Sequence, residues 1–266
     1  MTPPTDTPFL VDSHCHLDFA PAEERAAIIA RARRAGVATM LTIGTKLGEF
    51  ATVRAIAEAE PDIWCSVGIH PHEAAAEPDV TPLRLAELAQ HPKVVGIGET
   101  GLDFYYEHSP RERQAQSFRT HAAAARAAGL PLIVHSRGAD AETADILDEE
   151  RPLSGVIHCF STGRELSEKA LGLGFYISLS GIVTFKNAES LRAIARELPL
   201  DRLLIETDAP YLAPVPMRGK RNEPAFLAHT AAFVAGLKGI GVAELAERTT
   251  ANFFRLFAKA TPPGRR

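Results

Sequence analysis

The stretch VDSHCHLDF, residues 11–19, sets His14 and His16 two positions apart at the end of an apolar run. Side chains alternate across an extended strand, so both imidazoles point to one face while Cys15 points to the other. The same alternation puts Asp12 on the histidine face, where its carboxylate would orient an imidazole. Later apolar runs end in similar residues: His70 with His72 close behind, Glu99, His135, His158, and then Glu206 and Asp208 around Thr207. Ten histidines in 266 residues would place fewer than one at eight such exits by chance. Four exits carry one, at 14, 70, 135 and 158. Neutral imidazoles converging with carboxylates form a donor set for a divalent metal. The N/O mixture suits zinc, manganese, cobalt or iron more naturally than magnesium.

Each residue alone has a plainer role. Glu99 would pair with a core arginine, the three cysteines would be small buried apolar groups, and His72, His91, His108, His121 and His229 would lie on loops or helix surfaces. Five ligand-type exits on one rim outweigh those roles. Buried polar groups left without partners cost ~1–3 kcal/mol each.

These exits need a scaffold that brings them together. The apolar runs are FLVDS (9–13), TMLTIG (39–44), IWCSVGI (63–69), KVVGIG (93–98), LPLIVH (130–135), SGVIHC (154–159), FYISLS (175–180) and RLLIET (202–207). Continuous apolar runs of this length suit strands buried on both faces, as in parallel sheets. Alanine-rich helical stretches lie between them. PAEERAAIIARARRAG (21–36) ends in arginines and Gly36, and residues 109–129 offer Ser109 as a cap, Pro110 at the first helical position and Gly129 as a stop. Residues 223–258 read as two helices broken near GIG (239–241). Strand–helix alternation repeated eight times predicts a single-domain (β/α)8 TIM barrel over 9–260, with a flexible N-terminus 1–8 and a disordered tail 261–266. An open doubly wound sheet would more often show a glycine-rich fingerprint after its first strand, and DSHCHLD is not one. In a (β/α)8 barrel the active site lies at the C-terminal ends of the strands, where these donors sit.

Composition narrows the class further. A formal net charge of −4 argues against a generally basic nucleic-acid binder. Cysteines at 15, 65 and 159 form no CxxC pair and cannot all be bridged, which predicts a reduced, cytoplasmic compartment. MTPPTDTPFL has no basic segment followed by an apolar one, so no signal peptide is expected, and no apolar run is long enough to span a membrane.

The ordered set DSHCHLDF (12–19), GIHPH (68–72), GETGLDFYY (98–106), HSRGA (135–139), HCFS (158–161) and ETDAPYL (206–212) resembles the TatD-like metal-dependent hydrolases, often described as TatD deoxyribonucleases. The resemblance continues through PVPMRGKRNEP (214–224) and so covers nearly the whole chain. It implies a (β/α)8 barrel with two divalent metal ions: magnesium, manganese or zinc. By position, His14, His16 and Asp208 would hold one, His135 and His158 the other, and Glu99 would bridge them. His70 and Glu206 would line the site. The implied activity is hydrolysis of DNA phosphodiesters, typically from a 3′ end, on single-stranded DNA or free 3′ ends. Met217 and Thr162 depart from the family pattern, which bears on the shape of the substrate groove and not on the ligands.

In such chemistry two ions ~3.5–4 Å apart activate a water and stabilise the attacking and leaving oxygens. Glu99, Asp208, His70 and Glu206 are the catalytic candidates. Glu99 offers one oxygen to each ion, and Asp208 would also accept the proton of the attacking water. His70 would steady a phosphate oxygen or protonate a leaving group. Arg218, Lys220 and Arg221 in MRGKRN are candidates for phosphate contact. Lys186 is a weaker one, and Asn187 beside it suits a helix cap. No obligatory protein partner is legible.

Two rivals remain. An amidohydrolase of the dihydroorotase kind also opens with HxH, but with two metals it bridges them by a carboxylated lysine at the fourth exit; that position here is Glu99, with Lys93 at the strand start. Other esters, including aminoacyl esters on RNA, would use the same centre. A structural zinc scaffold would close its site with four ligands; six donors around two metals favour an enzyme.

Overall fold

The computed structural model describes residues 9–264. The expected flexible segment 1–8 lies outside the described residues, as do the last two positions of the expected tail; residues 261–264 carry no helix or strand. Eight strands, β1 (Leu10–Cys15), β2 (Val37–Thr42), β3 (Ile63–Val67), β4 (Val94–Asp103), β5 (Leu132–Arg137), β6 (Gly155–Ile157), β7 (Tyr176–Leu179) and β8 (Leu203–Ile205), alternate with helices. The helices are α1 (Ala22–Arg34), α2 (Phe50–Ala59), α3 (Pro82–Leu88), α4 (Arg111–Ala128), α5 (Asp140–Glu149), α6 (Arg164–Gly172), α7 (Glu189–Glu197), α8 (Leu227–Lys238) and α9 (Val242–Leu256). The strands pair in parallel in sequence order. At the seam, Asp208 N–H donates to His14 O at 2.9 Å and His16 N–H to Ala209 O at 2.8 Å, drawing the end of β8 onto β1.

Alternation along the strands sorts the core into layers. Val11, Leu41, Trp64, Val95, Ile133, Val156, Tyr176 and Leu204 form one apolar cluster with Phe253, Leu256 and Phe257 of α9, which closes the barrel at the N-terminal ends of its strands. The strand residues of opposite parity, such as Cys65, Val94, Val134 and Ile157, belong to the larger cluster shared with the helices. Two positions beyond the apolar floor the residues turn polar: Ser66, His135, His158, Ser178 and Glu206. The barrel is therefore apolar at its floor and polar at its mouth. Among the described residues no single helix is long and apolar enough to cross a membrane.

Five local expectations needed correction. Asp12 is not on the histidine face. A register shift pairs Asp12 with Met40 but Cys15 with Thr42, so three steps on β1 match two on β2 and simple alternation fails there. Asp12 turns to the seam, where Oδ1 accepts from Thr207 N–H at 2.9 Å and Oδ2 from the Thr207 hydroxyl at 2.6 Å. The fourth strand does not end at Glu99. It shifts register between Ile97 and Thr100 and then pairs on to Asp103. Glycine permits this shift: Gly98 has φ +137°, and a Cβ there would lie 2.6 Å from Ile133 O. Ser109 does not cap α4. Its hydroxyl accepts from Ala75 N–H and donates to His72 O, and Pro110 stands at the cap instead. Asn187 does not cap α7 either, where Ala188 takes that position without a side-chain bond.

His121 lies in the core, not on a helix surface. Its Nδ1–H donates to Ser117 O at 2.7 Å, and Nε2 accepts from Ile69 N–H at 2.9 Å, which fixes the backbone just before His70. Burial pushes this imidazole down to about 4, against a hydrogen bond to Ser117 that acts the other way. An unfolded histidine titrates near ~6.5, so this contribution to stability is complete above that pH and is lost as pH falls towards 4. His121→Gln should lose ~1–3 kcal/mol at neutral pH through loss of the Ile69 hydrogen bond. Its deficit should narrow between pH 6.5 and 4. Urea unfolding of both proteins across that range reads the difference, and a pH-independent deficit would contradict it.

Candidate metal centre

Glu99 stands in the middle of five imidazoles. Its Oε2 lies 3.3 Å from His14 Nε2 and 4.0 Å from His16 Nε2. Its Oε1 lies 2.8 Å from His158 Nε2, 3.2 Å from His135 Nδ1 and 3.3 Å from His70 Nε2. One oxygen thus faces each group of rings. Asp208 completes the first group, with Oδ1 3.3 Å from His16 Nε2 and 3.7 Å from His14 Nε2. His14, His16 and Asp208 form one compact set of donors; His14, Glu99 and His158, and His70, Glu99 and His135, form two more.

The partners of the far ring nitrogens sort the histidines that could serve as ligands from those that could not. His158 Nδ1 lies 3.2 Å from Glu206 Oε1, so a proton belongs there and Nε2 is the nitrogen turned to Glu99. His135 Nε2 lies 3.3 Å from Asp103 Oδ2, which turns Nδ1 to the Glu99 side, where it also lies 3.3 Å from His158 Nε2. Carboxylates fixing imidazoles in this way are the usual support of metal-binding histidines. His70 is arranged oppositely. Its Nδ1 accepts from His72 N–H at 3.1 Å, so its proton is on Nε2 and faces Glu99. Burial pushes His70 down to about 4, against the neighbouring Glu99 charge. It is therefore a neutral donor and unsuited to bind metal through Nε2.

Two features show that the donors fit a cation. Both ring nitrogens of His14 are buried without a hydrogen-bond partner, and its Nε2 faces Glu99 and Asp208, a costly arrangement unless an ion takes the lone pair. The electrostatics also call for positive charge. Against burial, the Glu99 charge and the Glu206 hydrogen bond push His158 well above its ordinary value. Burial likewise opposes the upward shift of His135, which bonds to Asp103 and Glu99 cause. Glu99 is held well below the carboxylate range by His158, His70 and His14 despite burial.

Not every expected residue reaches the mouth. His16, His70, Glu99, His135, His158 and Asp208 line a cleft of about 1720 Å³, with Thr162 on its wall. Glu206 is fully buried behind His158, and its Oε1 also accepts from Cys159 N–H at 2.7 Å. Lys186, Arg218, Lys220 and Arg221 are not among the lining residues. The Arg218 guanidinium lies over the Phe185 ring at 4.0 Å, and Arg221 donates to Phe19 O at 2.6 Å, so both serve the walls. Lys93 sits at the start of β4, donating to Glu60 O, Pro61 O and Ile63 O, far along the strand from a bridging position.

Sequence reasoning missed Asp103 and His72. Asp103 Oδ2 is shared by His135 Nε2 and His72 Nε2, the latter at 2.9 Å, while Oδ1 accepts from Tyr105 and Tyr106 N–H. Burial would raise this carboxyl, but these bonds hold it well below its usual range. Its spacing from Glu99 was the available signal: residues 99, 101 and 103 share strand parity. Asp103→Asn should weaken metal affinity ~10–100-fold by releasing the His135 tautomer. Metal titration followed by calorimetry reads this, with circular dichroism confirming the fold; unaltered affinity would free His135 from Asp103.

The chain matches the family model described as TatD related DNase over residues 11–258. It is 48% identical over 255 residues to the uncharacterized metal-dependent hydrolase YcfH of Escherichia coli K12, covering 94% of this chain and 96% of that one. It is 40% identical over 244 residues to the protein of Erwinia tasmaniensis named 3′-5′ ssDNA/RNA exonuclease TatD, covering 89% of this chain and 94% of that one. Among solved structures, YjjV, a TatD homolog from Escherichia coli K12, superposes with TM-score 0.89 at 31% identity over 95% of this chain and 98% of its own. A barrel mouth that gathers buried, cation-seeking imidazoles around Glu99 agrees with these likenesses, and the chain belongs to the TatD related DNase family of metal-dependent hydrolases.

Proposed function

We propose that the protein hydrolyses phosphodiester bonds of nucleic acid as a 3′-5′ exodeoxyribonuclease acting on single-stranded ends. The observation that carries the reading is Glu99, with one oxygen toward His14 and His16 and the other toward His135 and His158. The Erwinia tasmaniensis relative, named as a single-stranded DNA and RNA exonuclease, supports the substrate class. His14, His16 and Asp208 would hold one divalent ion, His135 and His158 the other, and Glu99 both. The ions, when bound, supply Lewis acidity that activates water and stabilises the attacking and leaving oxygens.

The chain's own groups divide the remaining work. Asp208, at the mouth, accepts the proton of the attacking water. The His70 Nε2–H, fixed by the His72 backbone, donates to a phosphate oxygen of the substrate. Glu206 keeps His158 in its ligand tautomer and Asp103 does so for His135. A neutral His70 suits a donor that stabilises charge better than an acid that releases a proton.

The test uses metal-stripped protein, 3′-labelled and 5′-labelled single-stranded DNA and the matching RNA, with magnesium, manganese or zinc restored in turn. Shortening from the 3′ end that depends on metal is the expected result. Stripped protein should remain folded, because α9 and the apolar floor do not involve the site. Protein that binds metal yet cleaves neither strand would overturn the reading and direct attention to other esters and amides.

A further inference from the structure

Ring contacts run outward from the ligand cluster along two arms. On one, Phe19 stacks on His16 with centroids 4.8 Å apart and planes within 10°, and Tyr211 meets both edge-on at 6.4 Å. On the other, Tyr106 lies edge-on to His72 at 5.8 Å and parallel to His108 at 5.7 Å, with Tyr105 edge-on to it at 4.9 Å. The Arg137 guanidinium sits 4.5 Å from the Tyr105 ring and 4.6 Å from the Tyr106 ring. His16 and His72 tie the arms to opposite sides of Glu99, through Asp208 on one side and Asp103 with His135 on the other.

These rings are open to solvent: Phe19 is 37% exposed, Tyr106 50%, Tyr211 54% and Tyr105 68%. The chain has four tyrosines, and the fourth, Tyr176, lies in the barrel floor. Phe19, Tyr106 and Tyr211 line the cleft, and exposed aromatics gathered there mark a surface that binds something flat or apolar.

The charge of the mouth narrows what that is. Asp18, Glu49, Glu73, Asp140 and Glu142 line the cleft, against Lys46 and Arg137. Lys46 already pairs with Glu73 at 3.4 Å and Glu49 at 3.8 Å. A strand gripped along its phosphates would need more cations than this. Ring faces hold bases without charge and without regard to sequence.

We propose that Phe19 with Tyr211, and Tyr106 with Tyr105 and Arg137, are two nucleobase-stacking subsites, one on each side of the scissile phosphodiester. The inference rests on the phosphodiesterase reading above. It requires a substrate unpaired on both sides of the cut, since a base stacked within a duplex has neither face free. Arg137, with no ion-pair partner among the described residues, is the one cation placed to serve a base and its phosphate together.

The experiment replaces Tyr106 and Tyr211 singly by alanine and by phenylalanine. Substrates are a single-stranded oligodeoxynucleotide and versions abasic at the last or the penultimate nucleotide. Each alanine variant should raise KM about tenfold with kcat within about threefold, and phenylalanine should restore it. On the strand abasic at the matching position the alanine variant should add no further loss. A second readout needs no turnover: 2-aminopurine at either position should be quenched on binding the metal-free protein, and the quench should vanish in the matching alanine variant. Cleavage with unchanged KM in both alanine variants, or equal losses on intact and abasic strands, would overturn the subsites and leave the phosphodiesterase reading intact. Wild-type protein that neither cleaves nor binds any strand would overturn both.

Discussion

Glu99→Gln should lose nearly all turnover together with bound metal. The substitution keeps the shape of the side chain and removes the one charge shared by two groups of imidazoles. Removing one partner from a buried charged cluster costs ~3–5 kcal/mol, which corresponds to a fall of ~10²–10⁴-fold in metal affinity. Elemental analysis of dialysed protein and kcat on a labelled oligonucleotide measure the two losses. Their ratio is informative, because a bridging carboxylate should affect both ions at once. Loss of one equivalent alone would make Glu99 a ligand of a single ion, and unaltered metal content with unaltered activity would remove it from the centre.

The second large effect separates binding from proton transfer. Asp208 approaches His16 at 3.3 Å and lines the cleft, with its carboxyl held low by the His16 hydrogen bond and the charges of His14 and His158 despite burial. Asp208→Asn keeps an oxygen for coordination and loses the base. Turnover should fall ~10²–10⁴-fold, the usual worth of a positioned base, with little change in KM. Metal content should fall by one equivalent at most. If kcat stays within a few fold of wild type, the water's proton goes elsewhere, and Asp208 is a ligand alone.

Much of this site was legible before any fold was known. Five ligand-type exits could be read because a parallel barrel puts functional residues at strand ends, and because the next inward position beyond an apolar strand residue is two steps on. That reasoning found His14, His16, Glu99, His135, His158 and Asp208, and the structure brings them within contact of one another. The eight runs were equally plain, since strands buried on both faces cannot hide their composition.

Tertiary structure decided the rest, for reasons that alternation does not contain. The register shift in β1 sent Asp12 to the seam, and the glycine-permitted shift in β4 carried the strand past Glu99 to Asp103. His70 became a donor and not a ligand only through the backbone N–H of His72. Arg218 and Arg221 read as phosphate contacts from their charge and position. In the fold one lies over Phe185 and the other holds the carbonyl of Phe19. Residue type and spacing determine which atoms can share a rim. Which nitrogen keeps its proton, and which cation is already engaged, depends on groups far apart in the chain that only packing brings together.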